Sequence, residues 1–156
     1  MDYSIKKIEY KDIESYVDLN IKCFKETYQD ILSDEYLNNL ELKKNEFIKE
    51  EQACFDSDND LIFLLVHNNK FIGYLAVGKS KINKYLDYGE IKSLYLLKEY
   101  QGCGYGKILF NLGIDTLRKK GFKNVLIGCL KDNTKANNFY NYLGCKLIDC
   151  HETITG

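Results

Sequence analysis

The sequence predicts a mixed α/β fold, a single β-sheet flanked by helices on both faces. Three observations lead there. In the second half of the chain, short β-type runs alternate with segments of helical periodicity, the pattern of parallel strands joined by helices. Earlier, the apolar runs 61–67 and 71–78 flank Asn68-Asn69 and read as an antiparallel hairpin. Finally, 156 residues without an internal repeat, a linker or a low-complexity segment fit one domain, 1–156, long enough to bury its own core.

The elements follow in order. Tyr3–Ile8 alternates weakly and reads as the first strand. Asp12 is placed to cap a helix running to about Tyr28, with an apolar stripe of Ile13, Tyr16, Val17, Phe24 and Tyr28. Gln29–Leu32 breaks that pattern. Ser33, followed by Asp34 and Glu35, opens a second helix: the hydroxyl can cap it, and the acids suit its positive end. This helix continues through Leu37, Leu40, Phe47 and Ile48. After a polar turn at Asp56–Asp60, Leu61–His67 and Phe71–Gly78 are the hairpin strands. Lys79–Asp87 is a charged connection and Tyr88–Leu96 a further strand. A glycine-rich turn leads into a long helix that ends at Lys120 with Gly121 as its terminating residue. On it, Tyr105, Ile108, Leu109, Leu112, Gly113 and Thr116 face the sheet, and Phe110, Ile114 and Leu117 form a second apolar row. Lys123–Leu130 is a strand, Asn133–Tyr142 a short helix closed by Gly144, and Cys145–Cys150 the last strand. The predicted order is β-α-α-β-β-β-α-β-α-β.

Composition narrows the function classes. With 22 basic and 23 acidic residues the net charge is −1, which offers no basic footprint for nucleic acid. The longest apolar run, Leu61–Val66, is far short of the roughly 20 residues needed to span a bilayer, and Met1–Asp12 lacks the apolar stretch of a secretory leader. A cytoplasmic protein with no membrane partner is expected. The six cysteines include no C-x-x-C pair, and only His67 and His151 stand beside them, so reduced core thiols are expected and no metal site. Arg118 is the single arginine, so any grip on phosphate falls to backbone amides and lysines.

The strongest local signal is Gln101-Gly102-Cys103-Gly104-Tyr105-Gly106-Lys107, which follows a strand and opens a helix. Free amides and the positive helix end make that an anion site, and glycine lets the backbone approach the ligand closely. A P-loop is excluded, because Gln101 stands where its first glycine belongs and Ile108 where its Ser/Thr belongs. A dinucleotide fingerprint also fails: counted from Gly102 or from Gly104, its last glycine falls on Lys107 or Leu109. The pattern Q/R-x-x-G-x-G/A fits through Gln101, Gly104 and Gly106.

With that loop, and with Asn133-x-x-Ala136-x-x-Phe139-Tyr140-x-x-x-Gly144 about 30 residues further on, the chain resembles the GCN5-related N-acetyltransferases. The resemblance spans the element order and is strongest from Glu90 to Leu147. It implies the acyl-CoA N-acyltransferase fold, with the family's usual last strand missing from a chain that stops at Gly156. It implies acetyl-CoA as cofactor and acetyl transfer to a small-molecule or peptide amine; the alternative is a catalytically silent acyl-CoA-binding module. The pyrophosphate would lie on Gln101, Gly102, Cys103, Gly104, Tyr105, Gly106 and Lys107. The pantetheine would lie along a bulged stretch at Leu94, Tyr95 and Leu96, paired like an added strand. Asn133, Asn137 and Tyr140 would complete the cofactor site. Members often pair as homodimers.

An ammonium acceptor must lose a proton before it attacks, and the departing thiolate benefits from gaining one. Glu90, at the start of the strand before the loop, is the candidate base, with Glu26 and Asp30 as fallback carboxylates. Tyr140 is the candidate acid. Phe24, Tyr28, Tyr74 and Glu90 are the candidate acceptor-binding residues, by the family's use of the first two helices and by the fit of tyrosines to a cation.

Overall fold

A computed structural model describes residues 2–55 and 60–148. Five strands form one sheet in the order β1 (Ser4–Lys7), β2 (Leu61–His67), β3 (Lys70–Lys79), β4 (Gly89–Leu96) and β5 (Val125–Ile127). The first four are antiparallel to their neighbours, and β5 joins β4 in parallel. The helices are α1 (Ile13–Tyr28), α2 (Asp34–Leu42), α3 (Lys44–Cys54), α4 (Tyr105–Lys119) and α5 (Thr134–Tyr142). This is the mixed, helix-flanked sheet that the sequence predicts.

Successive side chains of a strand point to opposite faces, and β3 shows which helix covers which face. The Tyr74 ring meets Tyr16 of α1 edge-on at 5.3 Å between centroids. Its neighbour Leu75 faces α4, where a Cβ added to Gly113 would lie 3.4 Å from Leu75 Cδ1 and 3.2 Å from Ile91 Cδ1. A side chain at 113 would therefore crowd Ile91 and Leu75, which would have to give way slightly. Leu64, Leu65, Ile72, Leu75, Val77 and Leu109 are fully buried between these layers, each contributing about 1.5–3 kcal/mol by leaving water.

Local signals placed most boundaries. Asn68 and Asn69 have φ of 50° and 61°, the left-handed pair of a tight hairpin that asparagine tolerates. Ser33 Oγ accepts the Tyr36 N–H at 3.2 Å and caps α2. Gly121 and Gly144 follow α4 and α5 with φ of 96° and 92°.

Five expectations are revised. The helix expected from Ser33 through Ile48 is two helices, broken at Lys43 (φ −97°, ψ 5°), whose N–H still reaches back to Asn39 and Leu40. Asp12 caps no N–H of α1. Its carboxylate accepts the Glu9 N–H at 2.9 Å and pairs with Lys6 Nζ at 2.9 Å, fixing the turn that enters the helix. Burial pushes that carboxyl up, but the bonds from Lys6 and Glu9 outweigh it and hold it below the ordinary range. On α4 the inward row is Tyr105, Leu109, Gly113 and Leu117, while the Thr116 hydroxyl donates to the Leu112 carbonyl at 2.7 Å. Finally, β5 is three residues long, not eight. Of the strand expected at 145–150, residues 145–148 carry no regular structure and 149–150 lie outside the described residues.

Candidate active site

The site begins with a defect in β4. On its β3 side, Ile91 pairs with Val77 and Ser93 with Ala76, which leaves Lys92 as the extra residue of a bulge. On its β5 side, pairing runs from Gly89 to Ile91 and no further among the described residues. The bulge thus falls two or more residues before Leu94–Leu96, where the resemblance implied it, at the point where β5 leaves. From Lys92 to Leu96 the strand keeps β3 on one edge and turns the other toward a cleft.

Beyond the split lies the glycine loop. Gly102 and Gly104 have φ of 77° and 90°, so both need the left-handed freedom of glycine. Gly104 precedes α4, and no side chain caps that helix. The first-turn amides of a 15-residue helix are therefore left to a ligand or to water. Gly106 also has a packing role: a Cβ there would sit 3.1 Å from Cζ of Phe139, so its bareness lets α5 pack closely against α4. Gln101 Nε2 donates to the Leu96 carbonyl at 3.1 Å, and its Oε1 accepts from Lys135. This ties the loop to the end of β4 on one side and to α5 on the other. Cys103 and Lys107 are exposed, whereas the Tyr105 ring is buried against Tyr3 and Tyr100.

Across the cleft, Asn133 caps α5, its Oδ1 accepting the Ala136 N–H at 3.2 Å. Asn137 Nδ2 donates to the carbonyls of Leu130, Lys131 and Asn133 at 3.0, 3.2 and 2.9 Å. Both side chains fix the loop from β5 to α5. Tyr140 packs against Phe110 and Phe139 at 6.4 and 5.4 Å between ring centroids. Burial pushes its phenol well above the ordinary tyrosine range, and the neighbouring Cys129, Tyr28 and Cys145 act in the same direction. A phenol so held stays protonated at neutral pH and can serve as a hydrogen-bond donor.

On the α1 side, Tyr28 Oη and Tyr95 Oη are 2.9 Å apart, a hydrogen bond between α1 and the stretch of β4 that lacks a β5 partner. Tyr74 and Tyr95 lie 5.5 Å apart, centroid to centroid. Both line a cavity of about 470 Å³ between α1, α2, α3 and the sheet, as do Phe24, Tyr16, Glu50 and Glu51. The cavity reaches β4 at Lys92, Ser93 and Tyr95, the stretch freed by the split. Of the expected acceptor residues, Phe24 and Tyr74 line it; Tyr28 and Glu90 do not, though Tyr28 bonds to Tyr95 and Glu90 lies two residues from Lys92. The sequence reading missed Asn20, between Tyr16 and Phe24 at intervals of four, and Phe47, Glu50 and Glu51 of α3, which share one helical face.

Glu90 is half-buried at the Gly78 register position. Burial pushes its carboxyl up, the Lys92 ammonium pulls it down, Asp60 pushes it up and Lys81 pulls it down; the balance is upward. Of the fallback carboxylates, Glu26 accepts the Lys98 N–H at 3.0 Å and Asp30 is exposed. Among the described residues no group of three or more His, Cys, Asp or Glu side chains could hold a metal, and no helix is long and apolar enough to cross a membrane.

A split sheet with an uncapped glycine-loop helix at its mouth fits the acyl-CoA site that the sequence resemblance implies. The chain belongs to the acetyltransferase (GNAT) family, whose model matches residues 13–145. It is 28% identical over 152 residues to the spermidine N(1)-acetyltransferase of Thermoplasma acidophilum, covering 96% of this chain and 91% of that protein. It is also 28% identical over 85 residues, 54% of each chain, to the [ribosomal protein bS18]-alanine N-acetyltransferase of Haemophilus influenzae. The fold matches that of the PaiA N-acetyltransferase of Thermoplasma acidophilum in complex with coenzyme A, with a TM-score of 0.80 and 23% identity over 97% of this chain and 94% of that one. The protein is an N-acetyltransferase that uses acetyl-CoA to acetylate an amine.

Proposed function

We propose that the acceptor is a small aliphatic polyamine, bound in the cavity between α1, α3 and the sheet. The observation that carries this reading is the cavity lining, in which Tyr16, Phe24, Tyr74 and Tyr95 stand with Glu50 and Glu51. Aromatic faces and carboxylates attract a chain that carries several ammonium groups, and a pocket of about 470 Å³ suits a slim one. The relative that acts on spermidine, aligned over nearly the whole chain, supports the same acceptor.

Acetyl-CoA supplies an acetyl thioester that a neutral amine can attack. The α4 amides and the loop 101–107 would hold its phosphates, and the open edge of Leu94–Leu96 would take its pantetheine amides; the uncapped helix and the unpaired strand edge fit those groups. Glu90 takes a proton from the acceptor ammonium, directly or through water. Its raised proton affinity suits that task near neutral pH, since a base works best when its pKa approaches the working pH. Tyr140 donates from Oη to the departing sulfur. Its raised proton affinity keeps the hydroxyl protonated and opposes full transfer to a thiolate, a weaker base than this phenolate, so it acts first as a hydrogen-bond donor to the charge developing on sulfur. Asn133 and Asn137 hold the loop that faces this phenol.

The deciding experiment measures thiol release from acetyl-CoA with spermidine, spermine, a monoamine of similar length and an N-terminal alanine peptide. The expected order is polyamines first, with Glu50→Gln and Glu51→Gln each raising KM for spermidine more than for the monoamine. A preference for the peptide would overturn the polyamine reading. The same proposal includes a cytoplasmic enzyme, supported by the free thiols of Cys23, Cys54, Cys103, Cys129 and Cys145. It also includes pairing of two copies, which light scattering would test.

A further inference from the structure

The β4 bulge places an ammonium where it could neutralise the base, and a second carboxylate intercepts it. Lys92 Nζ lies 2.9 and 3.0 Å from the two carboxylate oxygens of Asp60, and both side chains are only 18% exposed. Asp60 is held there by the sheet. It lies against Gly78, where an added Cβ would fall 1.9 Å from Asp60 Oδ1. Gly78 is in turn the register partner of Glu90. Asp60, Lys92 and Glu90 therefore share one patch of the sheet: two carboxylates and one half-buried ammonium, with Lys81 on the connection beyond β3 as the further cation that acts on Glu90.

We infer that Asp60 and Lys92 are positioning residues for acetyl transfer: Asp60 binds the Lys92 ammonium bidentately and so keeps it from pairing with the Glu90 carboxylate. This rests on the reading of Glu90 as the base. The bulge is essential to the device, because it inserts Lys92 as a residue with no β3 partner, free to reach across to Asp60. A second effect follows from position. Lys92 lines the acceptor cavity, and a bare ammonium there would repel a cationic amine. Paired with Asp60, it presents no net charge to the acceptor.

The two residues act on Glu90 with opposite sign, which gives the test a signature that a merely structural pair would not produce. In Asp60→Asn, Lys92 turns to Glu90, so the acidic limb of the kcat/KM profile moves down by roughly 0.5–1 pH unit. KM for the amine rises in the same variant. In Lys92→Met, the limb moves up by about the same amount. In Asp60→Asn/Lys92→Met the limb returns to near its wild-type position. The carbon-13 titration of the Glu90 carboxyl, followed in acetyl-CoA-binding protein, reads the same shifts without turnover. Should Lys92→Met fail to fold, the direction of the Asp60→Asn shift still decides. Glu90→Gln serves as the reference. If it abolishes the limb while Asp60→Asn and Lys92→Met leave the limb and the carbon titration unmoved, or move them the same way, the positioning role is overturned and Glu90 stands. If the limb survives Glu90→Gln, the reading of Glu90 as base fails, and the positioning role fails with it.

Discussion

The hydroxyls of Tyr28 and Tyr95, 67 residues apart in the chain, meet at 2.9 Å and tie α1 to the one stretch of β4 that β5 has abandoned. Burial raises the Tyr95 phenol far above its ordinary range, with Tyr28 acting in the same direction, so Tyr95 keeps its proton at neutral pH. The bond is a clasp between helix and strand. Tyr95→Phe should lower stability by about 1 kcal/mol, because it leaves a buried hydroxyl on Tyr28 without its partner. The double variant Tyr28→Phe/Tyr95→Phe should be no less stable than either single one. Chemical denaturation of all four proteins closes that cycle, and simple additivity would show the clasp to be idle.

Tyr140→Phe keeps the ring contacts with Phe110 and Phe139 and removes only the hydroxyl. If that hydroxyl protonates the leaving sulfur, kcat should fall by about 10²-fold or more while the acetyl-CoA dissociation constant changes less than about threefold. Stopped-flow rates beside calorimetric titration separate the two. An unchanged kcat would assign the leaving-group proton to water.

The glycines at 104 and 106 should respond differently to alanine. At Gly104 the φ of 90° makes any side chain strained by about 1–2 kcal/mol and should weaken acetyl-CoA binding. At Gly106 the obstacle is the Phe139 ring, 3.1 Å from the new methyl. The damage there should be relieved by adding Phe139→Leu, whereas the same change should do nothing for Gly104→Ala. Titration of the four variants with coenzyme A distinguishes a phosphate-binding glycine from a helix-packing one.

Glu90 should trade stability for activity. Its carboxyl is raised above the ordinary value of 4.5, so the folded chain holds this proton more tightly than the unfolded chain does. The associated stabilisation is complete below the unfolded value and is lost as pH rises through the folded one. At pH 7 the ionised carboxylate therefore opposes folding. Glu90→Gln should raise Tm by about 1–2 °C at pH 7 and by less at pH 4, while acetyl transfer falls by about 10²-fold. A lower Tm at pH 7 would contradict the sign of this argument.

What could be read from the sequence was set by neighbours a few residues away. The Asn68-Asn69 turn, the Ser33 cap and the terminating Gly121 and Gly144 are local backbone chemistry, and each appears where its residue type requires it. The uncapped helix after Gly104 was legible for the same reason. The break at Lys43 was not: Leu42-Lys43-Lys44 contains no glycine or proline, so the turn is imposed by the way α2 and α3 pack over α1. The bulge at Lys92 was equally hidden, because it arises from fitting β4 to β3 on one edge while β5 leaves the other. The packing role of Gly106 was hidden too, because Phe139, which lies against it, is 33 positions later in the chain. The acidic wall of the acceptor cavity depended on α3, which the sequence reading had merged into its predecessor.

The β4–β5 seam also bears on how the molecule opens. Three residue pairs join β5 to the sheet, whereas seven join β3 to β4. Backbone amides of β5 should therefore exchange with solvent through a local opening much easier than global unfolding, while those of β2 and β3 wait for the whole domain to come apart. Ligand in the seam would suppress that opening, so protease resistance of the segment from β5 to α5 becomes a direct gauge of cofactor occupancy in the cell.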